Sequence, residues 1–361
     1  MLRASVKTLS GMHPVIVGNE ILSCLPEILR EYDVGKRVFV ITDKNIAHLY
    51  EGNIAKILTS ASIETHTCVI PSGEEYKNLE QVSYLWDWLA ENRAERKDTI
   101  LALGGGVIGD LAGWVAATYL RGMHLVQVPT TLLAQVDASI GGKTGINHPR
   151  AKNLIGSFYP PKLTFIDVSL LISLPERELR SGWAEVIKYA MIYDYSLYNY
   201  IANHLDDLKS KDIPKMLPVI SRCAEIKLDI VTKDPKESGL RAILNYGHTL
   251  GHAIEAATGY SKYLHGEAVA IGMQAAGLIA KEMGLLDEES LQLQNELIAE
   301  FGLPRYAEGV EAASVREAIK LDKKIEGGKS RWILLRAIGK AEIRSDVPPD
   351  IVELAMREYI R

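Results

Sequence analysis

Residues 98–114, DTILALGGGVIGDLAGW, pass from an unbroken apolar run through a cluster of glycines into a helical pattern. A run without polar alternation is buried on both faces, which is how a strand inside a parallel sheet reads. KRVFVITD at 36–43 and MHLVQVPTT at 123–131 share the pattern, each ending in an Asp or Thr turn. Between such runs lie amphipathic stretches, for example NLEQVSYLWDWLAENRA at 78–94. Strands alternating with helices predict an α/β domain with functional loops at the carboxyl ends of its strands. After residue 168 the pattern changes to long helical runs at 183–205, 215–232, 245–259, 266–283 and 288–301, with SRWILLRAIG near the end as a β-like exception. A chain of 361 residues exceeds what one core usually organises. We therefore expect an α/β domain over 1–168 and a mostly α-helical domain over 169–361.

Charge and cysteine content narrow the function classes. A formal net charge of −5 gives no global basic field, so no nucleic-acid partner is expected. Cys24, Cys68 and Cys223 are isolated and odd in number, which fits a reducing compartment better than a disulfide framework. The N-terminal residues show no apolar segment followed by a small-residue cleavage site, and AVAIGMQAAGLIA at 268–280 is too short to span a bilayer. The expectation is a cytoplasmic protein with no membrane partner.

Gly104, Gly106 and Gly109 satisfy G-x-G-x-x-G directly after a strand and before a helix. Glycines there let the backbone approach a pyrophosphate, and the helix start offers free N–H groups and a positive dipole end. A tight turn without a ligand uses similar residues, so the motif alone is weak. A standard Rossmann unit places an acid roughly 20 residues after the glycines, and none stands at a strand end there. Asp43 is the better candidate, and it precedes the glycines, so a bound dinucleotide requires a non-standard strand order. The SGEEYK loop at 72–77 adds Glu74 and Lys77. GGKT at 141–144 fails as a Walker loop, because Asp137 occupies the place of the required glycine. What remains is a glycine-rich turn presenting Lys143, with Lys152 and Asn153 soon after, a cation cluster suited to an anion.

In the helical half, SGWAEVIKYA carries Glu185 and Lys188, NYGHTLGHAIE carries His248, His252 and Glu255, and YLHGEAVAIGM carries His265 and Glu267. His248 and His252 stand four apart on a predicted helix, close enough to chelate one ion, and spacing alone favours that pair. Helix histidines also pack without metal, and nothing local separates ligand from acid/base group. Lys227 precedes Arg241 and Asn245, and the spacing of Arg241, Asn245 and His248 predicts one helix face carrying a cation, an amide and an imidazole.

Together the blocks GGGVIGDLAGWVAATYLRG, QVPTTLLAQVDASIGGKTGIN, LPERELRSGWAEVIKYAMI, LNYGHTLGHAIE, HGEAVAIGM and LDKK resemble, in register over nearly the whole chain, the 3-dehydroquinate synthase family of sugar phosphate cyclases in the shikimate pathway. The resemblance implies a Rossmann-like NAD-binding domain, a helical metal- and substrate-binding domain, an active site between them and usually a homodimer. It implies Glu185, His248 and His265 as ligands of Zn²⁺ or Co²⁺, with His252 left to face the substrate as a proton-handling group. NAD would be held by Asp43, by Ser72, Gly73, Glu74, Glu75, Tyr76 and Lys77, by Gly105, Gly106, Val107, Ile108, Gly109 and Asp110, and by Thr130, Thr131, Lys143 and Lys152. The catalytic and substrate set would be Asp137, Lys143, Asn153, Lys188, Lys227, Arg241, Asn245, His252 and Lys324, with Lys323 as the alternative to Lys324 and Arg121 reaching across a dimer. Two positions depart from the family pattern. Ala151 stands where glycine often precedes the lysine, and Trp183 is a bulky residue two places before the metal carboxylate, where it could crowd the site.

The implied reaction converts 3-deoxy-D-arabino-heptulosonate 7-phosphate into 3-dehydroquinate and phosphate. Its steps are hydride transfer to NAD, phosphate β-elimination, hydride return, ring opening and intramolecular aldol closure. Lys143, Arg241, Asn245 and Lys324 would anchor the phosphate, Lys227 with Arg241 the carboxylate, and the leaving phosphate would take the C6 proton. A polyol or glycerol phosphate dehydrogenase leaves that cationic set unexplained. Sister cyclases act on substrates without the carboxylate, and a non-catalytic NAD sensor leaves Glu185, His248 and His265 without a purpose.

Overall fold

The computed structural model describes residues 2–8, 11–34, 36–235, 237, 239–325 and 331–361, with side chains at all of these except 6–8 and 321–325. It divides into two compact units, Met1–Leu174 with Met216–Pro235, and Pro175–Lys215 with Lys236–Arg361.

The first unit is built on a seven-stranded sheet. Its strands are β1 (Leu2–Thr8), β2 (Gly11–Gly18), β3 (Arg37–Asp43), β4 (Glu64–Ile70), β5 (Thr99–Gly104), β6 (His124–Pro129) and β9 (Leu163–Asp167), in the order β1-β2-β9-β6-β5-β3-β4. Only β1 and β2 pair antiparallel; the other neighbours are parallel. Every residue of β5 and β9 is buried, as expected of strands covered on both faces. The period of two sends Val38 and Val40 into one core with the helices Leu25–Glu31 and Gly52–Ser60, and Phe39 and Ile41 into another with Leu79–Glu91 and Gly106–Thr118. The three strands expected from the sequence are the adjacent trio β3, β5 and β6. Asp43 ends β3, the neighbour of the glycine strand β5, although it comes earlier in the chain. A hairpin of β7 (Lys143–His148) and β8 (Ala151–Phe158) completes the unit.

The second unit is mostly helical, with one hairpin, β10 (Trp332–Ala337) and β11 (Lys340–Arg344), formed by the β-like run near the C-terminus. The expected run 183–205 is two helices, Glu176–Tyr193 and Tyr195–Asn203. It breaks at Asp194, whose carboxylate caps the second helix by accepting from the Ser196 and Leu197 amides. The expected run 245–259 is shorter as well: a 3₁₀ segment covers Leu240–Asn245, and the α-helix is His248–Ala257. Gly247 causes the break. Its φ is +79°, and a Cβ there would stand 2.7 Å from the Val269 carbonyl oxygen. Arg241, Asn245 and His248 therefore do not share one helix face. Gly272 lies equally close, since a Cβ would reach 1.9 Å from the Gly247 carbonyl oxygen, so the helix His265–Glu282 packs backbone to backbone against the turn that starts His248–Ala257. Among the described residues no helix is long and apolar enough to cross a membrane.

Candidate active site

Each unit holds its own group of candidate residues. In the first unit, Gly105 caps the helix Gly106–Thr118, so the first N–H groups of a thirteen-residue helix open at the carboxyl end of β5. A Cβ on Gly105 would lie 2.9 Å from the Thr131 side chain, which is why this turn excludes larger residues. Thr130 and Thr131 follow β6 next door, and Asp43 ends β3 on the other side. The Asp43 Oδ1 accepts from the Asn45 and Ile46 amides and from Ser72 Oγ at 2.8 Å, which ties the SGEEYK loop to the end of β3.

Lys77 anchors that loop. Only 4% exposed, it donates from Nζ to Asp110 Oδ2 at 2.6 Å and to Asn153 Oδ1 at 2.5 Å. Three residues predicted separately are thus one polar knot joining the loop, the glycine-rich helix and the β7–β8 hairpin. Burial raises the Asp110 carboxyl above the usual carboxylate range, against the pull of the Lys77 ammonium. Sequence reasoning missed Asn147, which holds the knot from the hairpin side. Its Nδ2 donates to Glu74 Oε1 at 2.8 Å, its Oδ1 accepts from the Asn153 amide, and its own amide donates to the Lys77 carbonyl. The only signal was its place at the end of GGKTGIN. Lys152 stands 4.0 Å from Glu74 Oε1.

Lys227 projects from the helix Ile213–Lys233 onto Asp137, donating to its Oδ1 at 2.6 Å and to its carbonyl at 2.7 Å. Lys143 is exposed at the start of β7. Arg121 is exposed too and has a left-handed backbone, with φ of +62° directly after Leu120 at +49°.

In the second unit, Glu185 and Lys188 lie one turn apart on the helix Glu176–Tyr193, both 1% exposed, and the Lys188 ammonium pairs with Glu185 Oε2. The other oxygen, Oε1, stands 3.7 Å from His248 Nε2 and 3.6 Å from His265 Nε2. Two donors each about 2.0–2.1 Å from a zinc ion stand roughly 3–4 Å apart, so this spacing suits one cation. The hydrogen bonds agree. His248 Nδ1 lies 3.1 Å from the Tyr246 carbonyl oxygen and so carries the proton, which leaves Nε2 as the lone-pair nitrogen. Burial, reinforced by the Lys188 ammonium, holds the His248 imidazole well below its usual range. Burial also works against protonating His265, but the Glu185 and Glu255 carboxylates prevail and push it up to about 10. A positive charge is favoured between these carboxylates, and a divalent cation satisfies the same demand.

His252 joins the group, with its ring centroid 5.1 Å from that of His248, and ring nitrogens of the three histidines lie within 4.8 Å of one another. It is exposed, whereas His248 is buried. Arg241 is 1% exposed, and Asn245 Nδ2 donates to Glu237 Oε1 at 3.0 Å. Trp183 does not crowd the carboxylate: its ring stacks on Phe301 at 4.4 Å, because residues two apart on a helix point to different sides. The side chains of Lys323 and Lys324, at the end of the helix Ala312–Ile325, lie outside the described residues.

Family models of the 3-dehydroquinate synthase N-terminal and C-terminal domains match residues 67–181 and 182–325. A 3-dehydroquinate synthase of Nostoc punctiforme is 47% identical over 339 residues, with 93% of each chain covered. Among solved structures, the 2-epi-5-epi-valiolone synthase ValA of Streptomyces hygroscopicus, with NAD⁺ and Zn²⁺ bound, matches with a TM-score of 0.88 at 31% identity over 95% of each chain. A 2-deoxy-scyllo-inosose synthase, complexed with carbaglucose-6-phosphate, NAD⁺ and Co²⁺, matches with a TM-score of 0.86 at 27% identity over 99% of this chain and 100% of that one.

Proposed function

We propose that this chain, which belongs to the 3-dehydroquinate synthase family, converts 3-deoxy-D-arabino-heptulosonate 7-phosphate into 3-dehydroquinate and inorganic phosphate. The observation that carries the reading is the convergence of Glu185 Oε1 with the Nε2 atoms of His248 and His265. It supports a catalytic cation in a chain that also has the glycine-rich helix start of a dinucleotide site.

Glu185, His248 and His265 would hold the cation, Zn²⁺ or Co²⁺, which supplies Lewis acidity at a substrate hydroxyl. NAD supplies a hydride acceptor that is restored within each turnover. Asp43 would accept from a ribose hydroxyl, and the amides from Gly105 to Asp110 would take the pyrophosphate. Ser72, Gly73, Glu74, Glu75, Tyr76, Lys77, Thr130, Thr131 and Lys152 would form the rest of the cradle. Lys77 keeps the loop in place through Asp110 and Asn153. Lys143, Arg241, Asn245 and Lys324 would bind the phosphate, and Lys227, pinned by Asp137, would meet the carboxylate with Arg241. An anion gripped at both ends is oriented before any bond changes. Exposed His252 would move a proton to or from the substrate, and Lys188 would hold Glu185 in place through their ion pair. A homodimer, with Arg121 reaching the partner, and a cytoplasmic setting belong to the same reading; light scattering of the purified protein tests the first.

The decisive assay follows phosphate release from the seven-carbon keto acid phosphate with NAD⁺ and Zn²⁺ while absorbance at the NADH band is recorded, beside a chelator-treated sample. Phosphate release without NADH accumulation, lost on chelation, is expected. NADH accumulating without phosphate points instead to a dehydrogenase. The solved neighbours favour a second reading, a sister cyclase for a sugar phosphate without the carboxylate; faster turnover of such a substrate than of the keto acid would establish it.

A further inference from the structure

Glu255 lies seven residues after His248 on the helix His248–Ala257, two turns along on the same side. It is 4% exposed, and its Oε2 stands 3.2 Å from His265 Nδ1. His265 is the first residue of the helix His265–Glu282, and its side chain is 32% exposed, against 11% for His248 and 1% for Glu185. A ring at a helix start with a third of its surface open gets little orientation from packing. Its far edge presents Nε2 to Glu185 Oε1 at 3.6 Å. An imidazole whose Nδ1–H is bonded to a carboxylate keeps Nε2 as the lone-pair nitrogen and resists turning over.

We propose that Glu255 is a positioning residue for the cation: it fixes the orientation and tautomer of His265, so that Nε2 converges with Glu185 Oε1 and His248 Nε2. The inference rests on the reading of Glu185, His248 and His265 as ligands, and it adds a residue that takes no place among them. The two histidines are anchored differently. His248 is tied to the backbone carbonyl of Tyr246, an anchor no side-chain substitution removes, whereas the His265 anchor is a side chain. Glu255 thereby gives the helix His248–Ala257 two duties, a ligand at its start and the support of a neighbouring helix's ligand near its end.

The test is the zinc affinity of metal-stripped, folded protein, measured by competition with a chromophoric chelator for wild type, Glu255→Ala, Glu255→Gln and Glu185→Gln. The visible spectrum of each Co²⁺-loaded protein serves as a second readout. Glu255→Ala is expected to weaken zinc binding about 10–100-fold and to change the Co²⁺ spectrum. Glu255→Gln, whose amide oxygen still accepts from Nδ1, should fall between Ala and wild type. Unchanged zinc affinity in the variants overturns the inference, and so does a lowered melting temperature with unchanged affinity, the mark of a merely structural contact. Should Glu255→Ala not fold, Glu255→Gln decides alone, and affinity equal to wild type overturns the inference. Failure of the ligand reading itself gives a different result, a wild type that binds zinc no better than Glu185→Gln.

Discussion

Glu185 is engaged on both of its oxygens: the Lys188 ammonium pairs with Oε2, and the Nε2 edges of two imidazoles face Oε1. A carboxylate 1% exposed is costly to bury without such partners. Glu185→Gln keeps the shape and removes the charge, so zinc affinity should fall beyond the about 10–100-fold typical of losing an orienting partner, as chelator competition would report. The choice among histidines is a residue-scale matter as well. The spacing of His248 and His252 favours them as a pair, yet it is His265, from a different helix, whose Nε2 faces Glu185 beside that of His248. Helical spacing predicts which side chains share a face, but not which face meets another helix. Glu255 was visible two turns after His248, but nothing in a single sequence marks it as the partner of His265.

The helices and strands carry their own predictions. Tyr246, just before the helix His248–Ala257, donates from its hydroxyl to Gln294 Oε1 at 2.5 Å on the helix Glu288–Glu300. Tyr246→Phe would leave that buried oxygen without its donor, a cost of about 1–3 kcal/mol that thermal or urea unfolding would register. On the sheet side, His13 of β2 lies with Nδ1 2.7 Å from the Pro161 carbonyl oxygen, and burial lowers its imidazole below the usual range. A depressed folded-state value favours the neutral ring. Its contribution to stability is therefore fully present above the unfolded value near 6.5 and is lost as the pH falls through the folded one. Urea unfolding at neutral and mildly acid pH should show a shallower pH dependence for His13→Gln than for wild type. Element types and most ends were legible from periodicity: the strands ending at Asp43, Gly104 and Pro129, and the helices Ile213–Lys233, His265–Glu282 and Glu288–Glu300. The breaks at Asp194 and Gly247 were not, because a capping carboxylate and a left-handed glycine interrupt a helix without disturbing its apolar period.

For the whole molecule, two ligands assigned to two compact units should act separately on stability. NAD at about 100 times its dissociation constant should stabilise the protein by about 2.7 kcal/mol, seen as a raised melting temperature, and a chelator that abolishes phosphate release should leave this response in place. Loss of the NAD response on chelation would contradict the assignment of the cradle to residues of the first unit. By itself, the sequence determined the α/β-then-helical pattern, the glycine turn after an apolar strand, and the motifs that mark the family. All of these are written in local order, in periodicity and spacing along the chain. Only the tertiary structure decided that Lys77, Asp110, Asn153 and Asn147 form one knot, that Lys227 is pinned by Asp137, and that Glu255 stands behind His265. Such meetings depend on how closely separate elements can approach; for Glu255 and His265, Gly247 and Gly272 allow the close approach by leaving no room for a Cβ between the elements that carry them.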